Sequence, residues 1–370
     1  MNGRPLTVVL AVLTLTALAP PPAAGQPEAR DTGWTAPRTP DGQPDLQGLW
    51  ANNSATPMQR PEILGDRGEL TGEELAQLHE RVAAFRDTAE QAGHLLGDRL
   101  FQRALGNSTY QDFDDQTGDY NTFWLVEREI EDRTSLIVDP PNGRIPPLTP
   151  AAARRAAERR AYAAEHPSDG PEDRTLADRC LHFAAPRVSG GYNSYFVILQ
   201  APGYVAILQE MGNVARVIPL DGRPHVDDGI RLWNGNARGR WEGETLVIET
   251  RNFSPQSRFL RSSEHLRLVE RWTRVAPDTL QQDVTLDDPT TWSRPWTIRL
   301  FLKQTQDPLF EWACHEGNYS MEGIQARAPP AEPPAARAPP PRGPPPAAPP
   351  PPPPPGPGPP PPPPPAAGAR

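Results

Sequence analysis

The sequence predicts a mainly β fold, either an antiparallel barrel or a sandwich, with helical insertions in its N-terminal half. Residues 239–312 alternate short apolar–polar runs with turns and leave little room for helix. Within them, the segment Arg240–Glu249 has a Gly-bearing tight turn between two such runs, which is typical of a β-hairpin. The runs follow one another too closely for βαβ units, so we expect mainly antiparallel pairing.

The N-terminal residues 1–25 have the features of a secretory signal. Arg4 is followed by the apolar run 6–19, and small residues at 23–25 suit a cleavage site. This run is too short to span a bilayer, and no other segment is apolar enough to do so. We therefore expect a secreted or periplasmic protein without a transmembrane segment.

The predicted domain boundaries follow from composition. Residues 26–44 are an irregular segment, residues 45–326 a single β-rich domain, and residues 327–370 a disordered tail that holds 25 of the 51 prolines. Proline lacks an amide donor and fixes φ, so the tail should be extended polyproline II. Two interpretations stay open for it, a contact with the cell envelope or a low-complexity tail without a partner.

Net charge excludes one class of partner. The whole chain carries −9, of which the tail contributes +3 and the signal +1, which leaves −13 for residues 26–326. Such an acidic domain repels nucleic-acid phosphates, so nucleic-acid binding is not expected. The sequence contains no Gly-x-Ser-x-Gly, Walker or dinucleotide fingerprint, and no cofactor is predicted.

Two helices are predicted, near 71–92 and 150–164. Thr71 and Glu74 form a capping box at the first, and Thr149 with Pro150 starts the second. Apolar residues share one face of the first helix: Leu75, Leu78, Val82 and Phe85. The second helix carries four arginines that are either an anion patch or a solvated face: Arg154, Arg155, Arg159 and Arg160.

Strands are predicted where apolar–polar runs lie between turn residues. The first is near Asp45–Trp50, where the Gly-x-Trp pattern is similar to that of the first strand of a lipocalin-like barrel, with Gly48 allowing close backbone approach and Trp50 closing the floor. The others are Thr122–Arg128, Ser135–Asp139, Tyr195–Gln200, Tyr204–Glu210, Ala215–Leu220, Thr245–Thr250, Leu266–Val275, Leu280–Leu286, Trp296–Lys303 and Phe310–Cys314.

The two cysteines, Cys180 and Cys314, predict a disulfide, because an exported chain meets an oxidising compartment. The alternative is a reactive thiol at Cys314 beside His315. Two cysteines alone do not make a zinc-finger-type site.

Glu270 is the first candidate for chemistry. Side chains alternate across a strand, so Glu270 shares the apolar face of its strand with Leu268 and Trp272. A carboxylate there either gains a raised pKa, which suits a general acid, or forms a buried pair with an arginine.

The second candidate is the segment after the last predicted strand. His315 is a possible acid or base, and Glu316 or Asn318 could orient it. A metal site would need His315 to meet His225 or His265. The chain has no His pair at ligand spacing, so no metal is predicted.

Tryptophans concentrated in the strand-rich half could line a pocket for an apolar, aromatic or sugar ligand. We expect Trp272 and Trp296 as its walls. Polar ligand contacts would come from Arg271 beside Glu270 and, at the rim, from the histidines and Asn318 already named: His225, His315 and Asn318.

Five phrases together resemble an uncharacterised family of exported proteins common in soil bacteria. They are TPDGQPDLQGLW (39–50), RTSLIVDPPNGR (133–144), RVIPLDGRPH (216–225), GRWEGETLVIET (239–250) and CHEGNYSM (314–321). The resemblance covers about residues 37–325 and implies export and one shared fold, but no activity. It also implies a histidine where this chain has Asn213, and often one at Arg267, so chemistry that depends on those imidazoles would be reduced here.

Three functions follow as hypotheses. The first is an exported β-barrel that binds a small apolar or aromatic molecule. The second is a hydrolase or lyase that uses Glu270 or Glu316 with His315. The third is an envelope interaction protein that acts through the Pro-rich tail.

Overall fold

Ten strands form a single sheet that curls into a nearly closed, mainly antiparallel barrel in the computed structural model, which describes residues 34–88, 99–106, 129–166, 169–190 and 193–325. The strands are β1 (Gly48–Ala51), β2 (Ile137–Asp139), β3 (Tyr195–Ala201), β4 (Tyr204–Gln209), β5 (Val214–Pro219), β6 (Asn236–Glu242), β7 (Thr245–Arg251), β8 (Arg267–Ala276), β9 (Thr279–Asp287) and β10 (Trp296–Gln304). Nine of them follow the order β5-β4-β3-β1-β10-β9-β8-β7-β6, and β2 pairs with β10 outside this path. The predicted β class is confirmed, and the barrel is the form it takes.

The barrel closes at a seam between β5 and β6. All eight neighbouring pairs along the nine-strand path are antiparallel, so the two end strands run in the same direction. Although both strands are fully described, no ladder joins them, and side chains make the contact. A Cβ added to Gly239 of β6 would lie 2.6 Å from Leu220 and 2.9 Å from Ile218. Glycine is therefore required for this close approach.

The hairpin predicted at Arg240–Glu249 is confirmed as β6 and β7. Glu242 is the partner of Thr245, so the connecting loop has two residues. Gly243 in that loop has a φ of +60°, which a glycine adopts without steric cost. The turn therefore sets the register of both strands.

The barrel interior is filled by side chains. Inward-facing residues of β1, β3, β8 and β10 form one apolar cluster, with Trp50, Phe196, Trp272 and Trp296 at or below 1% exposure. Trp292 packs edge-on against Trp296, with ring centroids 5.4 Å apart. The core is therefore a packed apolar interior of the kind expected for a small barrel.

In the described parts of the chain, four α-helices accompany the sheet: α1 (Gly72–Thr88), α2 (Arg99–Ala104), α3 (Pro150–Glu165) and α4 (Tyr319–Gln325). The capping box of α1 is confirmed, since the Thr71 amide donates to Glu74 Oε2 at 2.8 Å and the Glu74 amide to Thr71 Oγ1 at 3.2 Å. Thr149 caps α3 by accepting from the Ala152 amide at 3.1 Å. Leu78 and Val82 belong to a second, smaller core, as their spacing on one face of α1 predicts.

The predicted strand Phe310–Cys314 is wrong, because residues 305–314 form no ladder. Side chains bond this backbone instead. The Phe310 amide donates to Glu210 Oε1 at 3.0 Å, and Asn213 Nδ2 donates to the Trp312 carbonyl at 3.1 Å. The segment that follows β10 therefore leaves the sheet and is held by side-chain hydrogen bonds.

Several predictions fall outside the described residues: the signal at 1–25, the strand at 122–128 and the tail at 327–370. Helices α2 and α4, and the strand β6 as far back as Asn236, were not predicted. None of the helices among the described residues is both long and apolar enough to cross a membrane.

Candidate functional site

A buried ion pair lies inside the barrel. Arg216 of β5 and Glu270 of β8 meet through two parallel contacts, Nη1 to Oε1 at 2.6 Å and Nη2 to Oε2 at 2.9 Å. Their side chains are 7% and 0% exposed. A bidentate guanidinium–carboxylate pair is the strongest arrangement these two groups can form.

Strand register explains why Glu270 points inward. Its Cα partners are Ile248 on β7 and Val284 on β9, both fully buried, so the inner face of β8 places a carboxylate among apolar side chains. Trp272 Nε1 and Gln282 Nε2 each donate to Glu270 Oε2 at 3.2 Å. Of the two alternatives for Glu270, the structure shows the buried pair with arginine.

The ion pair also bridges the seam. On that side of the barrel, β5 is separated from β8 by the unpaired β5–β6 boundary and by β6 and β7. Arg216 reaches Glu270 across the interior, behind this boundary. The pair therefore ties the two sides of the barrel together where no backbone ladder does.

A row of registered partners crosses the wall next to this pair. Trp241 on β6, Leu246 on β7, Trp272 on β8 and Gln282 on β9 are successive Cα partners and face the interior. Among the described residues, Trp241 Nε1 and Gln282 Oε1 are buried without a hydrogen-bond partner. Trp241 is only partly buried, so the row begins near the solvent at the seam.

Trp50 occupies one end of the interior, next to Gly48. Its indole Nε1 donates to the Leu46 carbonyl at 2.9 Å, and the Arg274 guanidinium lies 5.4 Å from its ring. A Cβ on Gly48 would lie 3.3 Å from Gln304 Nε2, a tight approach. Trp50 is buried as the Gly-x-Trp pattern predicts, but the close neighbours of Gly48 are side chains and not the backbone that was expected.

The walls predicted from sequence and the polar residues predicted around them lie in different places. Trp272 and Trp296 face the interior and are fully buried. Arg271 is on the outer face, where its Nη1 donates to Glu242 Oε2 at 2.8 Å. His225 is also outside, with Nδ1 3.2 Å from Asn236 Oδ1 and Nε2 3.7 Å from Glu249 Oε1. Alternation along the strands correctly predicted the two inward tryptophans. The predicted ligand contacts from Arg271 and His225 are wrong for the interior, because both side chains lie on the outer surface.

The disulfide predicted between Cys180 and Cys314 is present. It leaves no free cysteine among the described residues. His315 and Glu316 follow it on an exposed loop, and Asn318 Nδ2 donates to the Asp178 carbonyl at 3.2 Å. The structure therefore does not bring Glu270, inside the barrel, together with His315 and Glu316 on the surface.

The two positions where the family resemblance implies histidine have structural partners here. Asn213 bonds the Trp312 carbonyl, as described above. Arg267 Nε donates to Glu249 Oε2 at 3.1 Å on the outer face. These side chains hold surface segments in place and do not approach Glu270.

Sequence reasoning missed a second buried carboxylate, Glu210, at the end of β4. It is 1% exposed, and burial raises the pKa of its carboxyl even though the Phe310 amide donates to it. Burial also lowers the pKa of Arg187 nearby to about 10. Glu210 is the last residue of the predicted strand Tyr204–Glu210, where a solvent-facing carboxylate is equally compatible with the pattern.

Comparisons of the chain with protein-family models, curated proteins and solved structures find no match. Across the described ranges, no group of three or more His, Cys, Asp or Glu side chains is arranged to hold a metal ion. The geometry of the barrel therefore carries the functional argument alone.

Proposed function

We propose that this chain is an exported β-barrel protein that binds a small molecule with an apolar or aromatic body. The observation that carries the proposal is the inward row from Trp241 to Gln282, which combines indole surfaces with unpartnered polar atoms beside a buried ion pair. Indole walls desolvate and stack on aromatic or sugar rings.

The unpartnered atoms support binding. A buried donor or acceptor without a partner costs about 1–3 kcal/mol. A ligand whose acceptor meets Trp241 Nε1 and whose donor meets Gln282 Oε1 would recover part of that cost. Phenols and sugars carry hydroxyl groups that both donate and accept, and a sugar carries several that could meet atoms on different strands. These compounds are therefore the preferred class.

Access would come through the seam. The interior is filled, so a ligand has to displace or separate side chains. Within the nine-strand path, whose strands are all described, β5 and β6 are the neighbours without a ladder. Opening there breaks no backbone hydrogen bonds, but full separation of β5 from β6–β8 would also break the Arg216–Glu270 pair. Entry is therefore proposed at the edge of the seam where the row begins, at Trp241.

Two observations support the exported location. Cys180 and Cys314 form a disulfide, which persists in oxidising compartments. The N-terminal sequence has the charge and hydropathy of a secretory signal. The resemblance to exported proteins of soil bacteria belongs to the same proposal. Fractionation of cells expressing the full chain should place the protein outside the cytoplasm.

The binding test uses ligand-observed NMR and calorimetry with phenols, short aliphatic alcohols and monosaccharides. Trp241→Phe removes the indole donor but keeps an aromatic ring, and Trp233→Phe is the matched control on an exposed position. We expect at least one class to bind, with affinity falling about tenfold in Trp241→Phe, as for a lost hydrogen bond, and unchanged in Trp233→Phe. Equal weakening by both variants, or no binding by any class, would contradict the proposal.

A further inference from the structure

A separate cavity of about 160 Å³ lies outside the barrel, between residues 152–160 of α3 and residues 255–264. Five arginines line it: Arg155, Arg159, Arg160, Arg258 and Arg261. Glu264 supplies the one carboxylate among the lining residues. Helix α3 and a loop distant in sequence therefore bring like charges together around one space.

None of these five guanidinium groups forms an ion pair within the described part of the chain, because no carboxylate there lies within salt-bridge distance. Burial lowers the pKa of Arg159, and the positive charges of Arg258, Arg155 and Arg160 lower it further, against a smaller opposing effect of Glu158. The remainder of the domain is strongly acidic, so this positive cluster is local.

A buried hydroxyl provides a second, independent observation. Ser262 lines the same cavity and is 4% exposed, and its Oγ has no hydrogen-bond partner among the described residues. Buried hydroxyls are normally bonded, so an unpaired one beside a cavity indicates a missing partner. An oxyanion placed among the arginines would supply the acceptor.

The wall of the cavity is held in position from behind by Asp288. Its Oδ2 accepts from the Ser263 amide and from Thr291 Oγ1, both at 2.7 Å. Arg155 Nη2 donates to the Thr290 carbonyl at 3.0 Å, which fixes one guanidinium at the edge. The backbone of this wall and the guanidinium of Arg155 are therefore held in place, whereas the other four arginines are exposed.

The backbone of the loop is unusual at the same place. Arg258, Leu260 and Arg261 have φ values of +39°, +47° and +72°. Residues other than glycine rarely adopt this region, and such conformations cluster at ligand sites. Here the conformation accompanies two of the guanidinium groups that line the cavity.

We propose that this cavity binds the phosphate group of a small phosphomonoester. Guanidinium groups match tetrahedral oxyanions geometrically, and a surplus of arginine favours a dianion over a carboxylate. The size of the cavity suits a single group, and the acidic remainder of the domain repels a polyanion such as nucleic acid. This site is separate from the barrel interior and does not depend on binding there.

Calorimetry with methyl phosphate tests the proposal, with methyl sulfate and acetate as monoanionic probes. Arg159→Gln and Arg258→Gln should each weaken methyl phosphate binding about tenfold, and Ser262→Ala should weaken it several-fold. Arg154→Gln is the matched control, since it removes the same charge from the same helix at a position that does not line the cavity. It should change affinity by less than about twofold, as for a distant exposed charge.

Three results would overturn the proposal. One is the absence of saturable methyl phosphate binding to the folded protein. Another is equal weakening by Arg154→Gln and Arg159→Gln, which would indicate a diffuse field without a site. The third is methyl sulfate binding as tightly as methyl phosphate, which would reject selection of a dianion. Thermal unfolding of each variant confirms that the fold is intact.

Discussion

The guanidinium group of Arg216 and those around the cavity beside α3 occupy opposite environments. Arg216 lies inside the barrel, and both of its terminal nitrogens meet the carboxylate of Glu270. The cavity brings five guanidinium groups together with a single carboxylate that pairs with none of them. The buried charge is satisfied within the protein, whereas the charges at the cavity are not.

This difference indicates that Arg216 stabilises the fold, whereas the cavity arginines are available to bind a ligand. A paired charge in an apolar interior fixes the relative position of the strands that carry it, and the protein gains little from any additional partner. Clustered like charges repel one another, solvent and salt screen this repulsion in part, and a bound anion would compensate it further. The number of partners around each arginine therefore predicts which substitutions harm folding and which harm binding.

The largest effect should come from breaking the interior pair. Glu270→Ala leaves Arg216 buried and unpaired, and we expect a loss of about 3–5 kcal/mol in the free energy of unfolding. Urea denaturation measures it. The double variant Arg216→Met with Glu270→Leu should be much less destabilised, because no charge remains uncompensated. Equal losses in the single and double variants would show that the pair does not hold the barrel.

A smaller effect is expected from the carboxylate behind the cavity. Burial alone would raise the pKa of Asp288, but hydrogen bonds from Ser263, Thr291 and Thr290 outweigh it and lower the pKa. A lowered folded pKa contributes stability above the unfolded value near 4, and this stability is lost as pH falls through the folded pKa. Asp288→Ala should cost about 1–3 kcal/mol at neutral pH.

Unfolding measured between neutral pH and pH 2 provides the check on Asp288. The difference between the native protein and Asp288→Ala should shrink as the medium becomes acidic. A constant difference across this range would contradict the proposed role of its charge.

The seam should respond to a single methyl group. Gly239→Ala places a Cβ against Leu220 and Ile218, and such overpacking costs about 1–3 kcal/mol. Gly72→Ala is the control, because a Cβ there meets nothing within 4 Å. Urea denaturation should show a loss in the first variant alone. Unchanged stability in Gly239→Ala would mean that β5 and β6 do not pack as described.

The smallest effect should come from the cavity. Arg155 and Arg159 are four residues apart on α3, where like charges destabilise a helix by about 0.2–0.5 kcal/mol. Arg159→Gln should therefore leave the free energy of unfolding unchanged or raise it slightly, and less so in high salt. A clear loss of stability would instead assign Arg159 a structural role.

Local patterns predicted much of the barrel, and long-range contacts were beyond them. Alternation placed Glu270 and Trp272 on the inner face, and the turn around Gly243 predicted the β6–β7 hairpin. The partner of Glu270 is 54 residues away in sequence, and its identity depends on how the sheet curls. Parity predicts that Arg271 faces away from Glu270, and the structure shows it on the outer face.

The sequence indicated only the part of the cavity that lies on α3. The arginines of α3 left two interpretations open, an anion patch or a solvated face. Arg154 and Arg155 are neighbours, yet only Arg155 lines the cavity. Arg258 and Arg261 complete the cavity from a loop distant in sequence. Their positive φ values could not be predicted, because arginine rarely adopts this backbone conformation. The predicted strand Phe310–Cys314 failed for a related reason, because Glu210 and Asn213 bond that segment with side chains.

NMR of the arginine Nε–H groups during titration with methyl phosphate compares the two environments in one experiment. We expect the Nε–H signals of Arg159, Arg258 and Arg261 to shift saturably together, while that of Arg216 stays in place. A shift at Arg216, or none at the three cavity arginines, would contradict the division between paired and ligand-binding guanidinium groups.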